Sequence, residues 1–277
     1  MLFIVAALRV EAKPLISHFR LKDITGANAP FRLYRNERIV LIITGMGRVA
    51  AGAGVAYLAA EFKPDKKSCW LNVGVAGHST LGLGTSILAH KITSHANGKI
   101  WYPGFTFTTS LQTYDVVTVD EPSTAYLTNS VHDMEAAGFY SMAVRVATID
   151  LIHCYKIISD NGRAPESDVT SALIERLLSE KLDEVEQLIL QLQTLADAIL
   201  PWARERDMIT RLSSEHRYSV TQTHQLKRLV QRWLALSADK ELSWPRIEAA
   251  RGAKEVLQIL ENEIKQIATR FDSNELI

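Results

Sequence analysis

Five stretches of this chain are strand-length and mostly apolar, and each ends in a glycine turn or an acid. They are residues 2–7, 38–43, 68–77, 116–119 and 153–160. An apolar run without polar alternation is what a strand covered on both faces requires. With helix-like segments between the runs, the pattern reads as an α/β sandwich. Sheets of this kind bind ligands beyond the carboxyl ends of their strands. Those ends carry Glu11, the 45–48 turn, the 74–77 turn, residues 121–123 and the pair Ser159-Asp160. Between them, Pro14 is expected to open a helix through Phe19, and a small-residue helix is expected over 49–62.

Residues 131–140, Val-His-Asp-Met-Glu-Ala-Ala-Gly-Phe-Tyr, put two carboxylates around a methionine ahead of an apolar segment. A carboxylate at such a place is costly to bury unless hydroxyls or a proton need it. Met134 offers a pliable apolar contact beside it. The pairing suits a sugar, with one apolar face and an edge of hydroxyls. The alternative is a helix start whose acids meet the positive end of the dipole. The turn Thr44-Gly45-Met46-Gly47-Arg48 invites a phosphate reading, because backbone amides at a helix start hold anions. Its Gly-x-Gly falls short of either nucleotide fingerprint, so tight turning and close helix packing are the preferred role. Gly47 and Arg48 are retained as anion candidates. Gly74 and Gly77 would let backbone approach a ligand. The aromatic segment 101–107 reads either as a stacking wall for a base or as a loop packed on the core.

The chain has 277 residues, 47% of them hydrophobic, and a formal net charge of zero. A sizeable core follows, and a protein devoted to nucleic acid, which needs a basic surplus, does not. The two cysteines, Cys69 and Cys154, lie far apart in apolar runs and read as buried thiols. No apolar run reaches membrane-spanning length, and the apolar start meets Glu11 too soon for a signal peptide. A cytoplasmic protein without membrane partner is expected. No metal-ligand set and no cofactor motif stand out.

From residue 168 the pattern changes. Leu178, Leu182, Val185, Ile189, Leu192, Ala196 and Ile199 form a seam with four-three spacing, which Pro201 is expected to stop. The basic stretch over 204–233 has acids interleaved and reads as a solvated face rather than a nucleic-acid site. Trp244-Pro245 is expected to start one last helix whose seam runs through Leu257, Leu260 and Ile264. The expected division is residues 1–200 as an α/β domain and 201–277 as an all-helical extension. The seams need cover from each other, from the α/β domain or from a second copy of the chain.

Several pieces, in this order, resemble the nucleoside phosphorylase/nucleosidase superfamily, and within it the methylthioadenosine/S-adenosylhomocysteine nucleosidases. The pieces are residues 4–11, 44–51, 72–77, 133–136 and 158–160, and the likeness covers about residues 1–200. It implies a three-layer sandwich of a mixed sheet flanked by helices. It implies that Glu11 activates the attacking water and that Asp160, held by Ser159, protonates N7 of a purine. It implies that Met134 packs on the ribose while Glu135 bonds the 2′ and 3′ hydroxyls. Gly77, Val75, Asp133 and Ser123 complete the substrate-facing set. Val75 stands where the nucleosidases usually carry a hydroxyl residue, His78 where glycine is usual, and Arg9 where the stretch is normally acidic. The segment between Gly84 and Asp133 is shorter than in the family, and the helical extension lies outside its usual fold. The resemblance implies hydrolysis of the N-glycosidic bond of a purine nucleoside or related ribosyl compound, by a homodimer. Arg9 and Arg48 keep phosphorolysis, with inorganic phosphate as co-substrate, as an alternative. A non-catalytic ligand-binding or assembly protein on the same scaffold is another.

Overall fold

The computed structural model describes residues 1–121, 129–164, 168–237 and 242–274. The chain divides into two compact units, Met1–Asp197 and Ala198–Ile277.

The first unit opens with β1 (Leu2–Ala6), every residue of which is buried, and α1 (Arg9–His18). A hairpin of β2 (Lys22–Asp23) and β3 (Arg32–Arg35) leads to β4 (Ile39–Ile43), then α2 (Arg48–Phe62). Next come β5 (Cys69–Gly77), β6 (Ser86–Ser94), β7 (Ile100–Trp101) and β8 (Gln112–Thr118). The unit continues with β9 (Val131–Asp133), α3 (Ala136–Ala143), β10 (Ile152–Asp160) and α4 (Ser171–Ser179). The sheet is mixed. β1 runs parallel to β4 and β5, and β5 parallel to β10, whereas β9 runs antiparallel to β5 and β6 antiparallel to β10. Because β8 joins β6 to β9, the strands β5, β10, β6, β8 and β9 close on one another, and β1, β4, β3 and β2 extend from them.

Strand alternation assigns the two faces. Phe3 and Val5 point into a core shared with Val55 and Leu58 of α2 and with Phe139 and Tyr140 of α3. On the other side α1 packs against α4. α2 and α3 touch backbone to backbone. A Cβ on Gly138 would lie 1.7 Å from the Arg48 carbonyl oxygen, so only glycine permits this crossing. That accounts for the small residues of α2 without any ligand.

Several boundaries differ from expectation. α1 starts at Arg9, not at Pro14, which lies inside it. The Glu11 carboxylate accepts the Leu8 N–H at 2.8 Å and so caps the helix from its third residue, which no Ser, Thr, Asp or Asn announces. The short strands β2 and β3 are polar and largely exposed and carried no apolar signal. Pro201 does not end its helix: α5 (Leu182–Ser214) runs through it. Proline costs such a helix about 3 kcal/mol or more. Buried Leu188 and Leu192 before it and Leu212 after it hold the helix on both sides. The boundary between the units falls at Asp197, the residue whose carbonyl loses its hydrogen bond to Pro201.

In the second unit α6 (Val220–Ser237) packs on α8 (Ala253–Asn274), with α7 (Trp244–Glu248) ahead of the latter. The expected last helix is therefore two, parted before Gly252, a poor helix residue. Leu226, Val230 and Trp233 meet Leu257, Leu260 and Ile264 in one core, so these seams cover each other. Cys69 and Cys154 are free and buried. No helix among the described residues is long and apolar enough to cross a membrane.

Candidate functional site

The carboxyl ends of β1, β5, β9 and β10 surround a cavity of about 450 Å³, within the range of small-molecule sites. Glu11 enters from the first turn of α1. Its carboxylate accepts the N–H groups of Ala7, Leu8 and Val75 at 3.1, 2.8 and 2.9 Å. Such closeness to β5 demands a glycine there, since a Cβ on Gly74 would stand 2.7 Å from Glu11 Oε1. Gly74 thus makes room for the acid rather than for a ligand. Burial pushes the Glu11 carboxyl above its usual value, against the pull of Lys156 and the three amides.

β9 delivers Asp133, and the chain passes through Met134 to Glu135 at the start of α3. Asp133 Oδ2 accepts the N–H groups of Glu135 and Ala136 at 3.2 and 2.7 Å, and Oδ1 accepts the Thr118 hydroxyl at 2.7 Å. Asp133 therefore caps the helix and fixes Glu135. Glu135 Oε1 accepts the Gly47 N–H at 2.9 Å. Burial, with Asp133 and Glu11 nearby, lifts Glu135 to about 7 despite Lys156 and the Gly47 amide. As the helix-start reading expects, one acid of this stretch caps the helix, and the next faces the cavity.

Lys156, in the middle of β10, is fully buried. Its ammonium lies 2.8 Å from Asp133 Oδ2 and 3.7 Å from Glu135 Oε2. Burial alone would lower its pKa, but Asp133 and Glu135 hold it above the ordinary value. At the end of the same strand the register shifts between Ile158 and Asp160. This bulge lets the neighbours Ser159 and Asp160, which would otherwise face opposite ways, both line the cavity. The Ser159 hydroxyl donates to Asp160 Oδ1 at 2.7 Å.

Glu11, Asp160, Met134, Glu135, Ser159, Gly77, Val75, Asp133 and Arg9 all line this cavity. Gly47 and Arg48 do not: the Gly47 amide is engaged by Glu135, and Arg48 Nε donates to Asp120 at 2.6 Å. Ser123 lies outside the described residues. The aromatic segment is no cavity wall; Phe105 and Phe107 pack edge-on to His153, their ring centroids 5.4 and 5.1 Å from it. His132, Met46, Val119, Val169 and Ile174 also line the cavity and were not anticipated. Lys156 was missed too, although a lone lysine in the apolar run Cys154-Tyr155-Lys156-Ile157 was its signal. Among the described residues no group of His, Cys, Asp and Glu could hold a metal.

No protein-family model matches the chain, and no curated protein matches it in sequence. Solved structures do. The 5′-methylthioadenosine/S-adenosylhomocysteine nucleosidase of Helicobacter pylori superposes with a TM-score of 0.55 at 15% identity, covering 68% of this chain and 97% of that one. The fold is that of the nucleosidases. Arabidopsis thaliana 5′-methylthioadenosine nucleosidase gives 0.53 at 20% identity, over 66% of this chain and 95% of its own. The futalosine hydrolase of Helicobacter pylori strain 26695 gives 0.54 at 16% identity, over 68% and 96%. The nucleosidase fold nearly fills those chains and leaves about a third of this one beyond it.

Proposed function

We propose that the cavity cleaves the N-glycosidic bond of a purine nucleoside or a related ribosyl compound by hydrolysis. The observation that carries the reading is the convergence of Glu11, Glu135 and Asp160, far apart in sequence, on one cavity with Met134 between them. Asp160, steadied by the Ser159 hydroxyl, delivers a proton to N7 and turns the base into a leaving group. The ribose passes through an oxocarbenium-like state, and Glu11 deprotonates the water that attacks it, as the second carboxylate does in glycoside hydrolysis. Three backbone amides hold the Glu11 anion in place, and its raised pKa makes it the stronger base. Glu135 accepts hydrogen bonds from the 2′ and 3′ hydroxyls while Met134 covers the apolar face of the sugar. Two nucleosidases and a futalosine hydrolase share the fold, which supports the reaction class and leaves the substrate to experiment.

Phosphorolysis needs an anion site beside the sugar. With Arg48 paired to Asp120 and the Gly47 amide on Glu135, Arg9 is the one cation among the described lining residues. Hydrolysis is therefore preferred. The test is incubation of the protein with methylthioadenosine, adenosine and inosine, with and without phosphate. Base release independent of phosphate is expected; phosphate-dependent release would replace hydrolysis by phosphorolysis, and binding without release would favour a ligand-binding scaffold. The same reading carries a cytoplasmic homodimer, to which the exposed Val49 in the first turn of α2 offers an apolar side chain. Light scattering of the purified chain gives the oligomeric state.

A further inference from the structure

Across the cavity floor three residues lie side by side on neighbouring strands. Asp160 on β10 is in register with Gly77 on β5, and Gly77 with His132 on β9. All three line the cavity. Two strand spacings place the Cα atoms of Asp160 and His132 roughly 10 Å apart. Gly77 puts no side chain into the gap between them. The gap is flat-floored and has a polar group on either side.

We propose that the base lies over Gly77 between Asp160 and His132, and that His132 is a specificity-determining residue that hydrogen-bonds the six-membered-ring edge of the purine, at N1 or the 6-substituent. The inference rests on the reading of the cavity as a nucleoside site and extends it to the base. The chemistry of the imidazole suits that place. Burial, then the neighbouring His78 and His95, hold His132 below its ordinary pKa against the pull of Asp133 and Asp160, which favours the neutral ring. A neutral ring offers one donor and one acceptor. It can therefore read an amino or an oxo substituent without opposing the positive charge that develops when the base is protonated. A lysine or arginine in this position would oppose that charge. An apolar side chain would leave the polar edge of the base without its hydrogen bond, and rejection of that kind is where hydrogen-bonding sites gain their selectivity.

The test compares the full-length protein with His132→Val and His132→Gln. The dissociation constants of adenine and hypoxanthine are measured by calorimetry, alongside KM and kcat for adenosine and inosine. His132→Val is expected to change the adenine-to-hypoxanthine ratio at least tenfold, through KM rather than kcat, with an unchanged melting temperature. His132→Gln, which keeps a donor and an acceptor, is expected to restore part of the ratio. Should His132→Val fail to fold, His132→Asn, polar but shorter, carries the same comparison. A ratio within twofold of the wild type in every folded variant would overturn the inference, as would a wild type that binds neither base. Because free bases bind without turnover, a wild type that binds and discriminates bases through His132 yet hydrolyses no nucleoside would uphold this inference and remove the hydrolytic reading.

Discussion

The two units bury different things. In Met1–Asp197 the interior holds Glu11, Asp133, Glu135, Lys156 and Asp160, together with several histidines and hydroxyls. In Ala198–Ile277 no charged residue is buried among the described ones. Burying one ion costs several kcal/mol even when it is paired. The first unit carries that cost several times over within one cavity, and the second not at all. Destabilising arrangements collect where chemistry is done, whereas a core with no such task is packed for stability alone. Mutations should therefore separate activity from stability in the first unit and affect stability alone in the second.

The largest effect tests that separation directly. Asp160→Asn should lower kcat by about 10²–10⁴-fold, as loss of a general acid does, while thermal unfolding stays within a degree or two of the wild type. Turnover near normal would remove Asp160 from the chemistry. Lys156→Met does the opposite. It leaves Asp133 and Glu135 buried without their cation, and unfolding in denaturant should show a loss of about 3–5 kcal/mol. A smaller loss would mean that the two acids share a proton instead of leaning on the ammonium.

In the helical unit Leu226, fully buried, is the matching probe. Leu226→Ala should cost about 2–5 kcal/mol by cavity formation, and kcat/KM should not change at a temperature where the variant is folded. A fall in kcat/KM would tie the helical unit to the site and break the contrast. The smallest effect is on pH. Glu135 titrates at about 7 because it is buried, and its ionised form is the better acceptor for two hydroxyls. KM should hold steady above that pH and rise toward tenfold per unit below it. The same shift has a sign for stability. The folded state binds the proton more tightly than the unfolded chain, whose ordinary value is 4.5, so the contribution of Glu135 is greatest below pH 4.5 and is lost as pH rises through about 7. A flat KM profile from pH 5 to 8 would mean that Glu135 does not grip the sugar.

Much of the first unit was legible because its strands are buried on both faces and therefore apolar without interruption. Glu11 and Asp160, which line the cavity, stood out because they follow those runs at the sheet's carboxyl end. What escaped was whatever lacked that contrast. β2 and β3 are short and mostly polar, with Leu33 their one residue in the core, so nothing set them apart from loop. The early start of α1 depends on a side chain reaching back to the backbone, which is a tertiary arrangement and not a pattern. Pro201 reads as a helix stop by its own chemistry, and the packing on both sides of it overrides that preference. Lys156 is the most instructive miss. Its partners Asp133 and Glu135 are more than 20 residues away, and only the pairing of β10 with β5 and the turn after β9 bring them to it. The anion reading of Gly47 and Arg48 was plausible for a glycine turn, and the fold gives both groups to carboxylates of the chain itself.

The claim beneath all of this is that three acids act on one ribose. A crystal structure with a non-hydrolysable purine nucleoside analogue tests it most directly. The account predicts the 2′ and 3′ oxygens within hydrogen-bonding distance of Glu135, N7 of the base at Asp160, and a water on Glu11 facing C1′. An analogue bound elsewhere, or one in this cavity whose sugar touches neither Glu11 nor Glu135, would contradict it.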